Sequence, residues 1–165
     1  MRILVSDMGG VLYSFDSSFN PEKHQQAFDE EMKKLGRDKG DTKNQLEGEY
    51  SAVQNGDLTV YPVKTGIENL VKNMLTCRVV IVSTSLVKTS RLILEKSGVE
   101  TSGVDFYDMS DFGSKKDKNA WKKIFEKYES VDYIVEDGKN NLEAAKEAAV
   151  DLGFRPKLFT SMPKI

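Results

Sequence analysis

The chain has 165 residues, which is long enough for one buried core and a small insertion. Its 24 basic and 26 acidic residues leave a net charge of -2, so neither a nucleic acid nor an anionic membrane is an expected partner. The single cysteine, Cys77, excludes an internal disulfide and fits a reducing compartment, and Asp7 interrupts the apolar start too early for a signal peptide or a membrane span. We therefore expect a soluble cytoplasmic protein.

The first predicted element is a short buried strand that ends in an acid and two glycines. Residues 3–5 are apolar but too few for a helix, and Asp7 follows them at the strand end, where open α/β sheets bind ligands. Gly9 and Gly10 permit a tight turn and leave backbone N–H groups accessible to an anion. A carboxylate beside such a turn is suited to nucleophilic attack on phosphorus. The alternative is that Asp7 only caps the turn.

Two amphipathic helices are predicted before the next strand. Residues 13–20 lack periodicity and predict a loop, after which Pro21 opens a helix that Gly36 closes. Residues 37–41 are charged and contain glycine, which predicts a turn, and a second helix begins at about Thr42.

This pair of helices is longer than a connection between parallel strands requires. Each helix has one narrow apolar stripe, so we expect the two to pack on each other and to lean over the strand ends. A crossover normally needs one helix, and roughly fifty residues exceed that need. The sequence therefore predicts a small helical cap at residues 14–61, inserted into an α/β core of residues 1–13 and 62–165. Ordinary crossover helices are the alternative.

From residue 62 onward, predicted helices and strands alternate. The strand at residues 78–82 is a continuous β-branched run, which is typical of a central parallel strand. The other elements are a helix carrying Ile67, Leu70, Val71 and Met74, a helix ending at Ser97, a strand at 104–107, a helix capped by Asn119 with Trp121, Ile124, Phe125 and Tyr128 on its inner face, a strand at 131–135, a helix from Asn141 and a strand at 157–160. This alternation predicts an α/β fold with a doubly wound, mostly parallel sheet.

Polar side chains follow the predicted strands at the edge where such a sheet binds its ligands. Besides Asp7, they are Ser83, Thr84, Glu136 and Asp137, with Lys115 and Lys116 just before the helix that contains Trp121. Two carboxylates at this edge can share Mg²⁺, and a hydroxyl and an ammonium can complete a cradle for a phosphoryl group. Each of these residues, taken alone, also has a purely structural interpretation. Ser83 would be the N-cap of a helix, the two lysines would lie in a solvent-exposed turn, and Asp137 would be an ordinary turn residue.

Four stretches of the sequence resemble the four motifs of the haloacid dehalogenase (HAD) superfamily, in the same order. They are Asp7-Met-Gly-Gly-Val-Leu12, Val79-Val-Ile-Val-Ser83, Lys115 ahead of an aromatic helix, and Ile134-Val-Glu136-Asp137. A helical cap after the first motif is a further similarity, so the resemblance covers nearly the whole chain. It implies a Rossmann-like HAD core, Mg²⁺ as cofactor, and a phosphatase that hydrolyses a small phosphorylated substrate, a phosphomonoester.

The resemblance also implies a role for each polar residue at the strand ends. Asp7 would be the nucleophile that becomes an aspartyl phosphate, and it would hold Mg²⁺ together with the backbone carbonyl of Gly9 and the side chain of Asp137. Lys115 would neutralise charge on the nucleophile and the phosphoryl group, and its offset from the aromatic helix favours it over Lys116. The phosphoryl group would be bound by Gly9, Gly10, Ser83 and Thr84. Glu136 would lie in or near the outer coordination shell of the metal.

The sequence departs from the family at Gly9. Phosphatases of this superfamily usually carry an aspartate there, which protonates the leaving oxygen and then activates water. Its absence predicts slow turnover unless another group substitutes for it. Asp16 and His24 are the candidates, although a structural role is favoured for His24, one helical turn before Phe28.

The departure at Gly9 keeps a second function open. It is that of a catalytically weak relative that binds a phosphorylated metabolite or a protein partner. A receiver-type regulatory domain is disfavoured, because such domains carry their phosphorylated aspartate on a middle strand of the chain rather than the first. The sequence indicates neither the identity of the substrate nor the oligomeric state.

Overall fold

The computed structural model describes residues 1–36 and 42–165, and a five-stranded parallel sheet lies at its centre. Within these residues the strands are β1 (Arg2–Ser6), β2 (Tyr13–Ser14), β3 (Tyr61–Pro62), β4 (Cys77–Ser83), β5 (Asp105–Asp108), β6 (Tyr133–Val135) and β7 (Lys157–Phe159). The helices are α1 (Pro21–Lys34), α2 (Thr42–Asn55), α3 (Lys64–Asn73), α4 (Val87–Lys96), α5 (Lys118–Phe125) and α6 (Lys139–Asp151). In the described ranges, no helix is long and apolar enough to cross a membrane.

The central strand of the sheet is β1, which fixes where the ligand crevice lies. The strand order is β5-β4-β1-β6-β7, and Leu4 of β1 lies between Val79 of β4 and Tyr133 of β6, all in parallel register. The chain first builds outward from β1 through β4 and β5, then returns to the other side of β1 with β6 and β7. Ligands bind at the carboxyl ends of strands where the order reverses in this way, and Asp7 directly follows β1.

Helices cover both faces of the sheet, because side chains of a buried strand alternate between the two faces. One face packs Leu4, Val79 and Ile81 against Leu70 of α3 and Leu94 of α4. The opposite face packs Val5, Val80 and Val82 against Trp121 and Phe125 of α5 and Ala145 and Ala148 of α6. The predicted doubly wound α/β fold with a parallel sheet is therefore confirmed.

The helices α1 and α2 lie between β2 and β3, which pair with each other as a small antiparallel ladder. This ladder corrects the prediction of a loop throughout residues 13–20. Of the helices that flank the sheet, α4 is the one on which α2 mainly packs. The Lys88 ammonium of α4 forms a salt bridge with Glu47 of α2 at 2.6 Å and lies 4.5 Å from the ring centroid of Tyr50, also of α2. The turn predicted at 37–41 lies outside the described residues, and the domain boundaries at 13/14 and 61/62 stay a prediction.

Three details of the helices differ from the sequence prediction. The N-cap of α5 is Asp117 rather than Asn119, because the Asp117 carboxylate accepts the Asn119 N–H at 2.9 Å. The helix ends at Phe125, so Tyr128 follows it instead of lying on its inner face. Val71 of α3 is 46% exposed, since the buried stripe of that helix runs through other positions.

Candidate active site

A cavity of about 410 Å³ opens at the carboxyl ends of β1, β4 and β6, and α1 and α2 form its opposite wall. The residues that the sequence predicted for the site all line this cavity: Asp7, Gly9, Gly10, Ser83, Thr84, Lys115, Glu136 and Asp137. They come from four separate segments that parallel strand order brings to one edge of the sheet. The structure thus brings the predicted set together in one place.

Asp7 lies at the floor of the cavity, where the backbone turns sharply after β1. Its carboxylate accepts the Met8 N–H at 2.8 Å, and its own N–H donates to the Val135 carbonyl at 2.8 Å. Gly10 adopts φ +78°, and a Cβ there would collide with the Asp137 carboxylate, so only glycine fits this approach of the two loops. The backbone of Gly9 lies outside the left-handed region.

Lys115 is buried against the Asp7 carboxylate. Its ammonium donates to Asp7 Oδ1 at 2.6 Å and to Glu136 Oε2 at 3.0 Å. Burial opposes the positive charge, but the two carboxylates outweigh it and hold the pKa of Lys115 above its usual value. The Trp121 indole N–H donates to the Lys115 carbonyl at 2.7 Å, which explains the six-residue spacing between them. Lys116 is exposed and does not line the cavity.

Three carboxylates meet beside this lysine. Asp7, Glu136 and Asp137 each place an oxygen within 4.8 Å of the others. Desolvation in the cleft, together with the hydrogen bond and charge of Asp7, raises the pKa of Asp137 to about 8. Burial and the negative charge of Asp7 also raise the pKa of Glu136. The Glu136 carboxylate accepts a hydrogen bond from the side-chain amide of Asn141 at 3.1 Å. One ammonium cannot balance three carboxylates, so the cluster suits a divalent cation with hard oxygen ligands, such as Mg²⁺.

Hydroxyl groups line the side of the cavity next to β4. Ser83 ends that strand, and its Oγ accepts the Ser85 N–H at 3.1 Å. The hydroxyl hydrogen of Ser83 can therefore be donated to a ligand oxygen in the cavity. Thr84 follows in the same turn and also lines the cavity.

A buried acid on α2 was not predicted as part of this site. Glu49 is 4% exposed, and its Oε1 has no hydrogen-bond partner in the described part of the chain. Burial raises the pKa of Glu49 to about 7, while its hydrogen bond with Ser85 acts in the opposite direction. A signal existed in the sequence, because Glu49 falls three residues after Leu46 and four before Val53, on the apolar stripe of its helix.

His24 of α1 reaches the cavity beside Gly9. Its Nδ1 accepts the Phe15 N–H at 2.8 Å and lies 3.3 Å from Ser14 Oγ, and its ring stacks on that of Phe15 at 5.1 Å. The other ring nitrogen, Nε2, is 3.3 Å from the point that a Cβ on Gly9 would occupy. Burial lowers the pKa of His24, and the negative charge of Asp7 acts in the opposite direction.

Asp16, the other candidate substitute for the missing acid, lies outside the cavity. Its carboxylate accepts the Ser18 N–H at 3.0 Å and stabilises the loop before α1. Of the two candidates, only His24 lines the cavity that contains Asp7. The packing role favoured for His24 from the sequence is present, but its Nε2 is additionally directed at the site.

The fold has known counterparts, although no protein-family model and no curated protein matches the sequence. The HAD domain of the effector protein Lem4 from Legionella pneumophila has a TM-score of 0.60 at 14% identity, with 96% of this chain and 85% of that one covered. A dehalogenase has a TM-score of 0.58 at 14% identity, with 98% and 83% covered. The protein YfnB from Bacillus subtilis, described as a HAD-hydrolase bound to magnesium, has a TM-score of 0.56 at 16% identity, with 99% and 94% covered. This chain therefore has the fold of the HAD superfamily.

Proposed function

We propose that this protein is a Mg²⁺-dependent hydrolase of phosphomonoesters that works through an aspartyl phosphate on Asp7. The observation that carries the proposal is the setting of Asp7, a buried carboxylate 2.6 Å from the Lys115 ammonium and within 4.8 Å of two further carboxylates. A carboxylate that an adjacent cation keeps ionised and oriented is suited to attack phosphorus. The fold shared with HAD hydrolases supports the same reaction class.

Each residue of the cavity floor has a part in this reaction. Asp7 attacks phosphorus, and the ester P–O bond breaks with its electron pair going to the leaving oxygen, which takes a proton. Water then attacks the aspartyl phosphate, which releases phosphate and regenerates the Asp7 carboxylate. Lys115 orients Asp7 and balances the charge that the phosphoryl group brings, while Ser83 and Thr84 donate hydrogen bonds to phosphoryl oxygens.

The acidic cluster would hold the metal. Asp7 and Asp137 would bind Mg²⁺ through their side chains and Gly9 through its carbonyl, with Glu136 positioned next to them by Lys115. The ion would supply positive charge against the phosphoryl oxygens. Lys115 alone cannot supply enough charge for three carboxylates and a phosphate dianion together.

The test is a hydrolysis screen across phosphorylated metabolites and p-nitrophenyl phosphate, with and without Mg²⁺. Asp7→Asn is the matched control, since it keeps the shape of the side chain and loses the nucleophile. We expect hydrolysis that requires Mg²⁺ and falls to background in Asp7→Asn. Equal hydrolysis by the two proteins would refute the proposed role of Asp7.

A second function is favoured by one specific observation, the glycine at position 9. Without an acid there, the protein would bind a phosphorylated metabolite or a phosphorylated partner in the same cavity and turn it over very slowly or not at all. Saturable binding of such a compound without phosphorylation of Asp7 would favour this alternative. Cytoplasmic localisation stays a prediction from the sequence.

A further inference from the structure

The space that a side chain at position 9 would occupy is filled by a residue from another element. His24 of α1 places Nε2 at 3.3 Å from the position of a Cβ on Gly9, and the Tyr13 hydroxyl lies 3.6 Å from the same point. Both groups line the cavity that contains Asp7. Any larger residue at position 9 must displace the His24 ring by a few tenths of an ångström, so these two positions are sterically coupled.

The hydrogen bonds of His24 fix which ring nitrogen carries the hydrogen. Nδ1 accepts the Phe15 N–H at 2.8 Å. Ser14 Oγ accepts the Asp16 N–H at 3.0 Å and lies 3.3 Å from Nδ1. Because Nδ1 accepts a backbone N–H, the neutral ring carries its hydrogen on Nε2. His24 is thus a hydrogen-bond donor toward the cavity.

Packing holds this donor in one orientation. The His24 ring stacks on Phe15 with the planes 1° apart, and Phe15 stacks in turn on Phe28 of the same helix at 5.7 Å. Within the described residues, the hydrogen bonds of the His24 ring are all made at Nδ1, and Nε2 donates to no protein acceptor. A rigid donor without a protein acceptor, directed into a cavity, is available to a ligand atom.

The direction of attack places the leaving oxygen on the His24 side. In phosphoryl transfer the attacking and leaving oxygens lie roughly in line through phosphorus. Asp7 attacks from the sheet, and Lys115 and Ser83 occupy the strand-end side of the cavity. The leaving oxygen therefore points toward the opposite wall formed by α1 and α2, to which His24 contributes Nε2.

We propose that His24 is a catalytic residue of the reaction proposed above, on which this inference rests: its Nε2–H donates a hydrogen bond to the ester oxygen that leaves as Asp7 attacks. The electron pair of the breaking P–O bond goes to that oxygen, which takes its proton from water at the cavity mouth. His24 stays neutral throughout, as a neutral imidazole donor can. The absence of a side chain at Gly9 leaves room for this donor.

A matched pair of variants separates this role from packing. His24→Asn keeps an amide atom near the position of Nδ1 to meet the Phe15 N–H but ends short of the cavity. His24→Gln places its amide nitrogen near the position of Nε2. Both proteins are compared with wild type on p-nitrophenyl phosphate and benzyl phosphate, which share a ring but differ in how much help the leaving oxygen needs.

We expect His24→Asn to raise the ratio of kcat/KM for p-nitrophenyl phosphate to that for benzyl phosphate by at least about tenfold, and His24→Gln to restore part of the loss. Equal losses on both substrates in both variants would mean that His24 only packs, and would overturn the inference. A shift of the ratio in Tyr13→Phe but not in His24→Asn would assign the donor to Tyr13 and overturn it as well. Absence of Asp7-dependent hydrolysis of p-nitrophenyl phosphate by wild type would instead overturn the proposed function, and this inference with it.

Steric coupling provides a second, independent readout. In the His24→Ala background an aspartate at position 9 has room, so Gly9→Asp should restore hydrolysis of benzyl phosphate by at least about tenfold. In the wild-type background the same change displaces the His24 ring and should bring a much smaller gain. Equal gains in the two backgrounds would show that His24 does not occupy the functional position.

Discussion

Lys115 is a buried cation that forms ion pairs with two carboxylates. It is 5% exposed between the carboxylates of Asp7 and Glu136. Lys115→Met should abolish hydrolysis and destabilise the fold by about 3–5 kcal/mol, because two buried carboxylates lose their only adjacent cation among the described residues. Lys116→Met, which changes an exposed neighbour, is the matched control and should alter neither property. Urea unfolding and steady-state kinetics check the pair, and similar behaviour of the two variants would contradict the assignment.

Asp137 is the residue that tests the metal site. Its carboxylate lies beside that of Asp7. A shared divalent cation relieves the repulsion between the two negative charges more fully than protonation of one of them does. Asp137→Ala should weaken Mg²⁺ binding measured by calorimetry and should remove the rise in melting temperature that Mg²⁺ gives the wild type. Wild-type affinity for Mg²⁺ in this variant would exclude Asp137 as a ligand.

At the scale of elements, periodicity and turn residues predict the core well and the wall of the cavity poorly. The run at residues 78–82 and the glycines after Asp7 carry local signals, so β4, β1 and the polar strand ends were predictable. The spacing to Trp121 selected Lys115, and a hydrogen bond explains why. The apolar stripe of α2 marks Glu49 as buried, but it does not place Glu49 or His24 in the cavity wall, because the way α1 and α2 face the sheet depends on tertiary packing.

The helices α1 and α2 give the prediction that belongs to this scale. They contribute His24, Gln25, Gln45 and Glu49 to the cavity wall, so a ligand there contacts both helices and the strand ends. Binding of a phosphate mimic with Mg²⁺ should slow amide hydrogen exchange in both helices. If protection is confined to the strand ends, the proposed cap at 14–61 is only a structural appendage.

For the whole molecule, stability should depend on pH through Glu49. Its pKa rises from 4.5 to about 7 on folding, so the folded state binds this proton more tightly than the unfolded state. The resulting stabilisation is complete below pH 4.5 and is lost as the pH rises to about 7. Glu49→Gln cannot ionise, and should be more stable than wild type by up to about 3 kcal/mol at pH 8, with little difference at pH 4.

Urea unfolding from pH 4 to pH 8 measures the difference in the free energy of unfolding between variant and wild type. The contributions of the other titrating groups cancel in this difference. Glu47→Gln is the control, since Glu47 lies on the same helix but is exposed and pairs with Lys88 at the surface. It should show no such pH dependence. A flat difference for Glu49→Gln would mean that Glu49 is not buried in solution.

The central claim, that Asp7 is a phosphorylated nucleophile, is tested most directly by trapping the intermediate. Wild-type protein with Mg²⁺ is mixed with p-nitrophenyl phosphate, quenched in acid within the first turnover and analysed by peptide mass spectrometry. Because His24 carries its hydrogen on Nε2 and cannot activate water there, the second step should be slow and the intermediate should accumulate. The account predicts a burst of nitrophenolate and one phosphoryl group on the peptide that contains Asp7, both absent from Asp7→Asn. Turnover by wild type without any phosphorylated Asp7 peptide, or a burst that persists in Asp7→Asn, would contradict it.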